Sequence, residues 1–307
     1  MLTKLLIDQH IHGAYGINFN KATVNDVLDV ASRIKKEGVG GIFPTLVTDT
    51  VENTCRQVNV IKEAAKKQDS EGARILGIHL EGIFLNPDKK GIHNANLFLE
   101  PTIENFKKIA DDFIKIITLA PELCKSCLKG GENLISFLRS KGVKVQAGHC
   151  TGADLSGCDG VTHMFNAMSG ITHRSKSTAL SALIDDNIYT EIIADGVHVN
   201  DDTLKLLFKT KPEDKILLVS DSLPCSHSAI SKFSFADEIV FFDGKMATSK
   251  YGTIAGSTKL LPDIVNILGR KKLFNPKYVD NPYNYHKVDI PGSIEWDENY
   301  NVVKIKA

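Results

Sequence analysis

The 307-residue chain predicts an α/β fold, a (β/α)8 barrel, on three observations. Short runs rich in Ile, Val and Leu alternate with longer amphipathic stretches, the signature of successive β-α units around a parallel sheet. The runs number eight, and eight parallel strands with crossover helices close most naturally into a barrel, although a doubly wound sheet shares the local pattern. The length suits one barrel of about 250 residues with a short remainder.

In chain order the predicted strands are residues 5–10, 41–45, 75–80, 114–119, 143–148, 160–163, 189–194 and 216–220. Helical periodicity falls between most of them, over 24–37, 51–67, 103–110, 132–140, 178–186 and 201–209. The stretch from Cys150 to Gly160 is short for a helix, so a degenerate crossover is expected there. After the eighth run the texture changes. Residues 233–248 alternate like antiparallel strands around the turn dipeptide Asp243-Gly244, and 292–306 do so again. Between them 256–268 reads as a helix, and 275–291, rich in Pro, Asn and Tyr, reads as loop. The predicted division is a barrel over 1–230 and 250–275, with a reduced β accessory domain over 231–249 and 276–307.

Thirty-seven Lys and Arg balance thirty-seven Asp and Glu without a basic block. That leaves no electrostatic footprint for nucleic acid or an anionic membrane. No apolar run approaches the roughly 18 residues of a membrane span, and the first residues lack a signal-peptide core, so a cytoplasmic protein is expected. The six cysteines do not form a disulfide framework at this length and are expected as thiols. Cys124 and Cys127 form a lone CxxC without a second pair or a nearby His. They read as ordinary helix-start cysteines rather than a zinc or redox motif.

Nearly every predicted strand ends in a metal-ligand or acid-base residue. The first runs into Asp8-Gln9-His10-Ile11-His12, the third into His79-Leu80-Glu81-Gly82, the fifth into Gly148-His149, the sixth into His163 and the eighth into Asp221. Barrel enzymes build their sites from the C-terminal ends of several strands, so these side chains are expected to share one mouth. His10 and His12 lie two apart on an extended segment, which puts both imidazoles on one face and suits chelation of one ion. Any one of these histidines alone reads as a hydrogen-bonded structural residue. Four histidines and two carboxylates at successive strand ends read as a divalent-metal site. Zinc is the first candidate, and iron, manganese and cobalt accept the same donors. A catalytic ion keeps a position for water and lowers its pKa to about 7. A carboxylate that is not a permanent ligand then shuttles the proton to the leaving group. The constellation points to metal-assisted hydrolysis.

The layout of HxH after the first strand, His after the fifth and sixth, and Asp after the eighth resembles the amidohydrolase superfamily. In order, GIHLEGIFLNPDKKGIHN, ITLAPE, GHCTGAD, THMFNAMSGITHR, IIADGVHV, LLVSDS and GTIAGST look like its N-acetylglucosamine-6-phosphate deacetylase branch, from about Ile7 to Thr258. The resemblance implies that Glu81, His149 and His163 hold the principal metal and that Asp221 is the general base and acid. It matches His10 and His12 to the pair for a second metal, so one or two ions per subunit are implied. His198 matches the histidine that polarises the acetyl carbonyl. Asn166 and the Ala167 N–H match the phosphate contacts, and His93 matches a sugar contact. Arg174 matches an arginine reaching the phosphate in a neighbouring subunit, which implies a homodimer.

Some residues depart from the branch. Ile83 stands where Pro is usual, Ser220-Asp221-Ser222 where Thr-Asp-Ala is usual, and Ser175-Lys176-Ser177 where Glu-Pro-Gly is common. The loop 223–230, with Cys225 and His227, also differs. The first barrel strand begins within a few residues of Met1, so the resemblance implies a shortened β-sandwich. The reaction implied is removal of the N-acetyl group of N-acetylglucosamine 6-phosphate, giving glucosamine 6-phosphate and acetate. The alternatives are the galacto epimer or another N-acyl substrate, and a non-catalytic sugar-phosphate-binding homologue.

Overall fold

Each apolar run becomes a strand buried on both faces, as parallel strands covered by helices require. The computed structural model describes residues 1–124 and 133–306. Its barrel strands are β1 Leu6–Ile11, β2 Val39–Val47, β3 Ile78–Glu81, β4 Ile114–Leu119, β5 Lys144–Ala147, β6 Gly160–Val161, β7 Tyr189–Ile192 and β8 Ile216–Leu218. They pair in parallel in sequence order, and a short Arg74–Ile75 strand adds to β2. The seam between β8 and β1 closes just beyond the strands. The Asp221 N–H donates to the His10 carbonyl at 2.8 Å, and the His12 N–H to the Ser222 carbonyl at 2.9 Å. The Asp8 carboxylate accepts the N–H groups of Ser220 and His10, at 3.2 and 3.3 Å.

The helices are amphipathic with local start signals. In α1, Val24–Lys35, a Thr23/Asp26 capping box satisfies first-turn donors, and Val27, Val30, Ala31 and Ile34 form the buried stripe. Also on the outside are α2 Val51–Lys67, α3 Ile103–Lys107, α4 Leu134–Ser140, α5 Thr178–Ile184 and α6 Asp201–Thr210. Residues 151–159 form turns without a helix, the degenerate crossover expected. The 256–268 reading corresponds to α7, Leu261–Arg270.

Two expectations are corrected. Residues 275–291 are not loop throughout, because they contain α8, Lys277–His286, with Pro282 inside it. Tertiary contacts override its poor helix composition. The Asn281 amide donates to the carbonyls of Glu213 and Ile216, each at 2.7 Å, and the Tyr283 hydroxyl to that of Leu5 at 2.8 Å. These bonds, with buried Tyr278, Tyr283 and Tyr285, seat α8 against the N-terminal end of the barrel. Cys124 closes a single 3-10 turn, Pro121–Leu123, rather than starting a helix. Cys127 lies outside the described residues.

Besides a two-stranded antiparallel ribbon of Gly13–Ala14 and Ile17–Asn18, two larger antiparallel sheets lie outside the barrel among the described residues. Strands Lys232–Phe235, Glu238–Phe242, Ala247–Ser249 and Ile254–Gly256 form one, with Asp243 and Gly244 turning its middle hairpin. It covers the barrel mouth, the Phe235 ring lying edge-on to His12 with centroids 5.2 Å apart. Strands Leu2–Lys4, Ser293–Trp296 and Val302–Lys306 form the other. It packs at the opposite end, where Ile294 fits against Gly38 and the Trp296 indole N–H donates to Thr3 at 2.9 Å.

Candidate functional site

The strand ends bring His10, His12, Glu81, His149, His163 and Asp221 together, all buried. His149, His163 and Asp221 lie just past β5, β6 and β8, and each has a positive φ, of 48°, 30° and 51°. Non-glycine residues hold that conformation at a cost of roughly 1–3 kcal/mol, so the surrounding structure must impose it. For Asp221 the seam bond to His10 does so.

Glu81 is the hub. Its Oε1 lies 2.8 Å from His163 Nε2, 3.3 Å from His149 Nε2 and 3.5 Å from His10 Nε2. Its Oε2 lies 3.2 Å from His12 Nε2. Asp221 Oδ1 lies 3.1 Å from His12 Nε2 and 3.5 Å from His10 Nε2. The imidazole tips also meet, His10 to His12 at 3.2 Å and His149 to His163 at 3.1 Å.

Hydrogen bonds on the far side of three rings say what these tips are. Nδ1–H of His10 donates to Glu191 at 3.0 Å, that of His12 to the Thr45 carbonyl at 3.3 Å, and that of His149 to the Lys89 carbonyl at 2.8 Å. Each ring, in its neutral form, therefore presents a bare Nε2 lone pair to the cluster. Lone pairs about 3 Å apart repel unless a cation lies between them. Two ligands on a tetrahedral ion, at about 2.0–2.1 Å each, are about 3.3 Å apart. The donor set fits a divalent ion. His10, His12 and Asp221 form one such group, and Glu81 with His149 belongs to another.

The electrostatics agree. Burial opposes a charge on Glu81, yet His10, His12 and His149 hold it well below the ordinary carboxylate range. Burial likewise opposes a charge on His10, which Glu81, Asp221 and Glu191 push well above its ordinary value. The pocket's field favours positive charge.

A cavity of about 300 Å³ opens on the cluster, its wall including Lys89, Asn166, Ala167, His198 and Ile254. His198 Nδ1 donates to Asp195 at 2.8 Å, and the other Asp195 oxygen accepts the N–H groups of Val197 and His198. Burial works against both charges, but the contact holds Asp195 near 2 and raises His198. Asn200, not His198, caps α6. His93 is buried, with Nδ1 accepting from the Thr48 hydroxyl at 2.9 Å. That leaves its proton on Nε2, 3.6 Å from Glu81, so His93 is a donor into the site rather than a ligand. Gly82 permits this, since a Cβ there would sit 2.2 Å from Thr48 Oγ1.

The Asn166 amide donates to the carbonyls of His163 and Met164. Phe165 and Ala167 take positive φ, and the Ala167 N–H finds no acceptor among the described residues. Arg174 does not join the cluster and lies on an exposed loop outside the cavity wall. Sequence reasoning missed Asp195, Glu191, Thr48 and Gln9 as supporting residues. Glu191 carried the clearest signal, a carboxylate inside a strand whose burial the sequence predicts.

Comparison with known proteins follows this geometry. The amidohydrolase family model matches residues 6–240. The chain is 33% identical to Bacillus subtilis N-acetylglucosamine-6-phosphate deacetylase, over 82% of this chain and 65% of that protein. It therefore spans about two thirds of that relative's length. It is 29% identical to Escherichia coli O157:H7 N-acetylgalactosamine-6-phosphate deacetylase, over 84% and 69% of the two chains. Its fold is that of the Pasteurella multocida N-acetylglucosamine-6-phosphate deacetylase structure, with a TM-score of 0.87 at 24% identity over 99% and 84% of the chains. It is also that of a Mycobacterium smegmatis N-acetyl-D-glucosamine-6-phosphate deacetylase mutant in complex with N-acetyl-D-glucosamine-6-phosphate, with a TM-score of 0.89 at 21% identity over 99% and 85%. With the family model matched across most of the barrel, the chain belongs to the amidohydrolase family.

Proposed function

We propose that the protein hydrolyses the N-acetyl group of N-acetylglucosamine 6-phosphate, releasing acetate and glucosamine 6-phosphate. The single observation that carries this is the cavity in which His198, Asp221 and the Glu81-centred cluster face one another beside Asn166 and Ala167. Glu81, His149 and His163 would hold one divalent ion, and His10 and His12 would hold a second, with the Asp221 carboxylate beside them free to move protons. Glu81 supports the pair by turning Oε1 toward His149 and His163 and Oε2 toward His12. Zinc suits these donors best. When bound, the ion supplies Lewis acidity and lowers the pKa of water.

The chain's own residues do the rest. Asp195 favours the charged form of His198 against burial, and in that form Nδ1–H is held by Asp195 and Nε2–H is left to donate to the acetyl oxygen, where charge develops. Asp221 takes the proton of the attacking water and returns it to the amine as the C–N bond breaks. Asn166 and the free Ala167 N–H meet the phosphate, and His93 Nε2–H contacts the sugar. Arg174, exposed in one subunit, reaches the phosphate in the other subunit of a homodimer, where a guanidinium suits bidentate binding. We assign the activity to the cytoplasm, where thiols such as Cys150, Cys158 and Cys225 stay reduced.

The E. coli relative's name favours one second reading, the same reaction on N-acetylgalactosamine 6-phosphate. A side-by-side assay of acetate release decides between them. We expect the larger kcat/KM on the gluco substrate, and a larger value on the galacto epimer would reverse the assignment.

A further inference from the structure

Glu191, in β7, is fully buried beneath the cluster and takes no part in the chemistry above. Its Oε2 accepts both the His10 Nδ1–H at 3.0 Å and the His163 backbone N–H at 3.3 Å. Its Oε1 accepts the Gln9 amide at 2.6 Å. The Gln9 carbonyl oxygen of the side chain in turn accepts from His286 Nε2 at 2.7 Å. The carboxylate is thus held at three points and reaches a member of each ligand set. A buried carboxylate is costly to retain, and packing alone gives no reason for an acid here.

The reason lies in tautomers. A neutral imidazole ligates through Nε2 only while its proton sits on Nδ1, and an acceptor facing Nδ1 fixes that choice. We propose that Glu191 is a positioning residue that locks His10 in the metal-ligating tautomer and so sets the affinity of the His10/His12 position for its divalent ion. This rests on the two-ion reading above.

Donor and acceptor sense makes the proposal testable. Gln9 donates to Glu191 because His286 fixes its amide, so Glu191→Gln turns its own NH2 toward His10 and enforces the wrong tautomer. The double exchange Gln9→Glu with Glu191→Gln reverses the sense and returns an oxygen to His10. Metal-stripped full-length chains are titrated with zinc, with bound metal counted and affinity measured calorimetrically. Two ions are expected in the wild type. In Glu191→Gln the second ion is expected to bind about 10–100-fold more weakly while the first is retained, and the double exchange is expected to recover it. Two ions at wild-type affinity in Glu191→Gln, or no recovery in the double exchange, overturns the role of Glu191. One ion in the wild type overturns the two-ion reading instead, and the proposal with it. If Glu191→Gln does not fold, the double exchange decides alone: tight binding of both ions supports the lock, and loss of the second contradicts it.

Discussion

The backbone N–H of Asp221 donates to the carbonyl of His10 at 2.8 Å, and that bond joins the last barrel strand to the first at the depth of the ligand cluster. Asp221 is therefore placed by the closure of the barrel itself. Its carboxylate, 3.1 Å from His12 Nε2, is kept below the ordinary carboxylate range because His10 and His12 outweigh the effect of burial. Asp221→Asn keeps the backbone bond and the shape but removes the proton shuttle. Acetate release is expected to fall by about 10²–10⁴-fold, with the ion at Glu81, His149 and His163 retained by metal analysis. Equal loss of that ion and of activity would show a structural role.

His198 and Asp195 form a unit 2.8 Å apart. His198→Ala is expected to lower kcat by about 10²–10³-fold with little change in metal content. Asp195→Ala should lower it less, with the loss growing as pH rises, because His198 then loses its proton near the ordinary value. A pH-independent loss in Asp195→Ala contradicts this coupling.

Arg174 lies on an exposed loop, so under the proposed homodimer its contribution is expected in trans. Arg174→Ala should raise KM by about 10-fold or more. Heterodimers co-purified from Arg174→Ala and Asp221→Asn chains contain one site with both native groups. They are expected to regain about half the wild-type rate. Heterodimers no more active than the parents would place Arg174 in cis or remove its role.

His227 ties the loop after β8 to Glu37, just past α1, and to Asp263 in α7. Its Nδ1 lies 3.0 Å from Glu37 Oε1 and its Nε2 lies 2.8 Å from Asp263 Oδ2. Those two hydrogen bonds, working against burial, raise its pKa from 6.5 to about 10. Its stabilisation is fully present below about 6.5 and is lost as pH rises through about 10. The thermal midpoint of His227→Gln is expected to lie about 1–4 °C below wild type at pH 6.5, with the gap closing above pH 10. A gap that persists at high pH contradicts the charged contact.

Much of this was legible from residue patterns, and the failures have physical causes. The apolar runs become β1 to β8 because strands buried on both faces need little else. HxH, LEG, GH and TH fall where strands end, so their side chains converge at one barrel mouth, as the spacing predicts. Helix α8 was missed because Pro282 and its Asn and Tyr neighbours disfavour a helix locally, and only the barrel floor makes it pay in buried tyrosines. Glu191 and Asp195 were missed because their value lies in accepting a hydrogen bond from a distant or adjacent histidine and so fixing which ring nitrogen carries the proton. No spacing along the chain displays that. The separation of the two antiparallel sheets to opposite ends of the barrel depends on packing at Gly38 and His12, again invisible to alternation.

The most direct test of the account is acetate release from N-acetylglucosamine 6-phosphate by one preparation, measured after chelation and again after zinc is restored. We expect turnover absent in the stripped protein and regained in proportion to the ion bound. Full zinc occupancy without acetate release would contradict the assignment of this cluster to deacetylation.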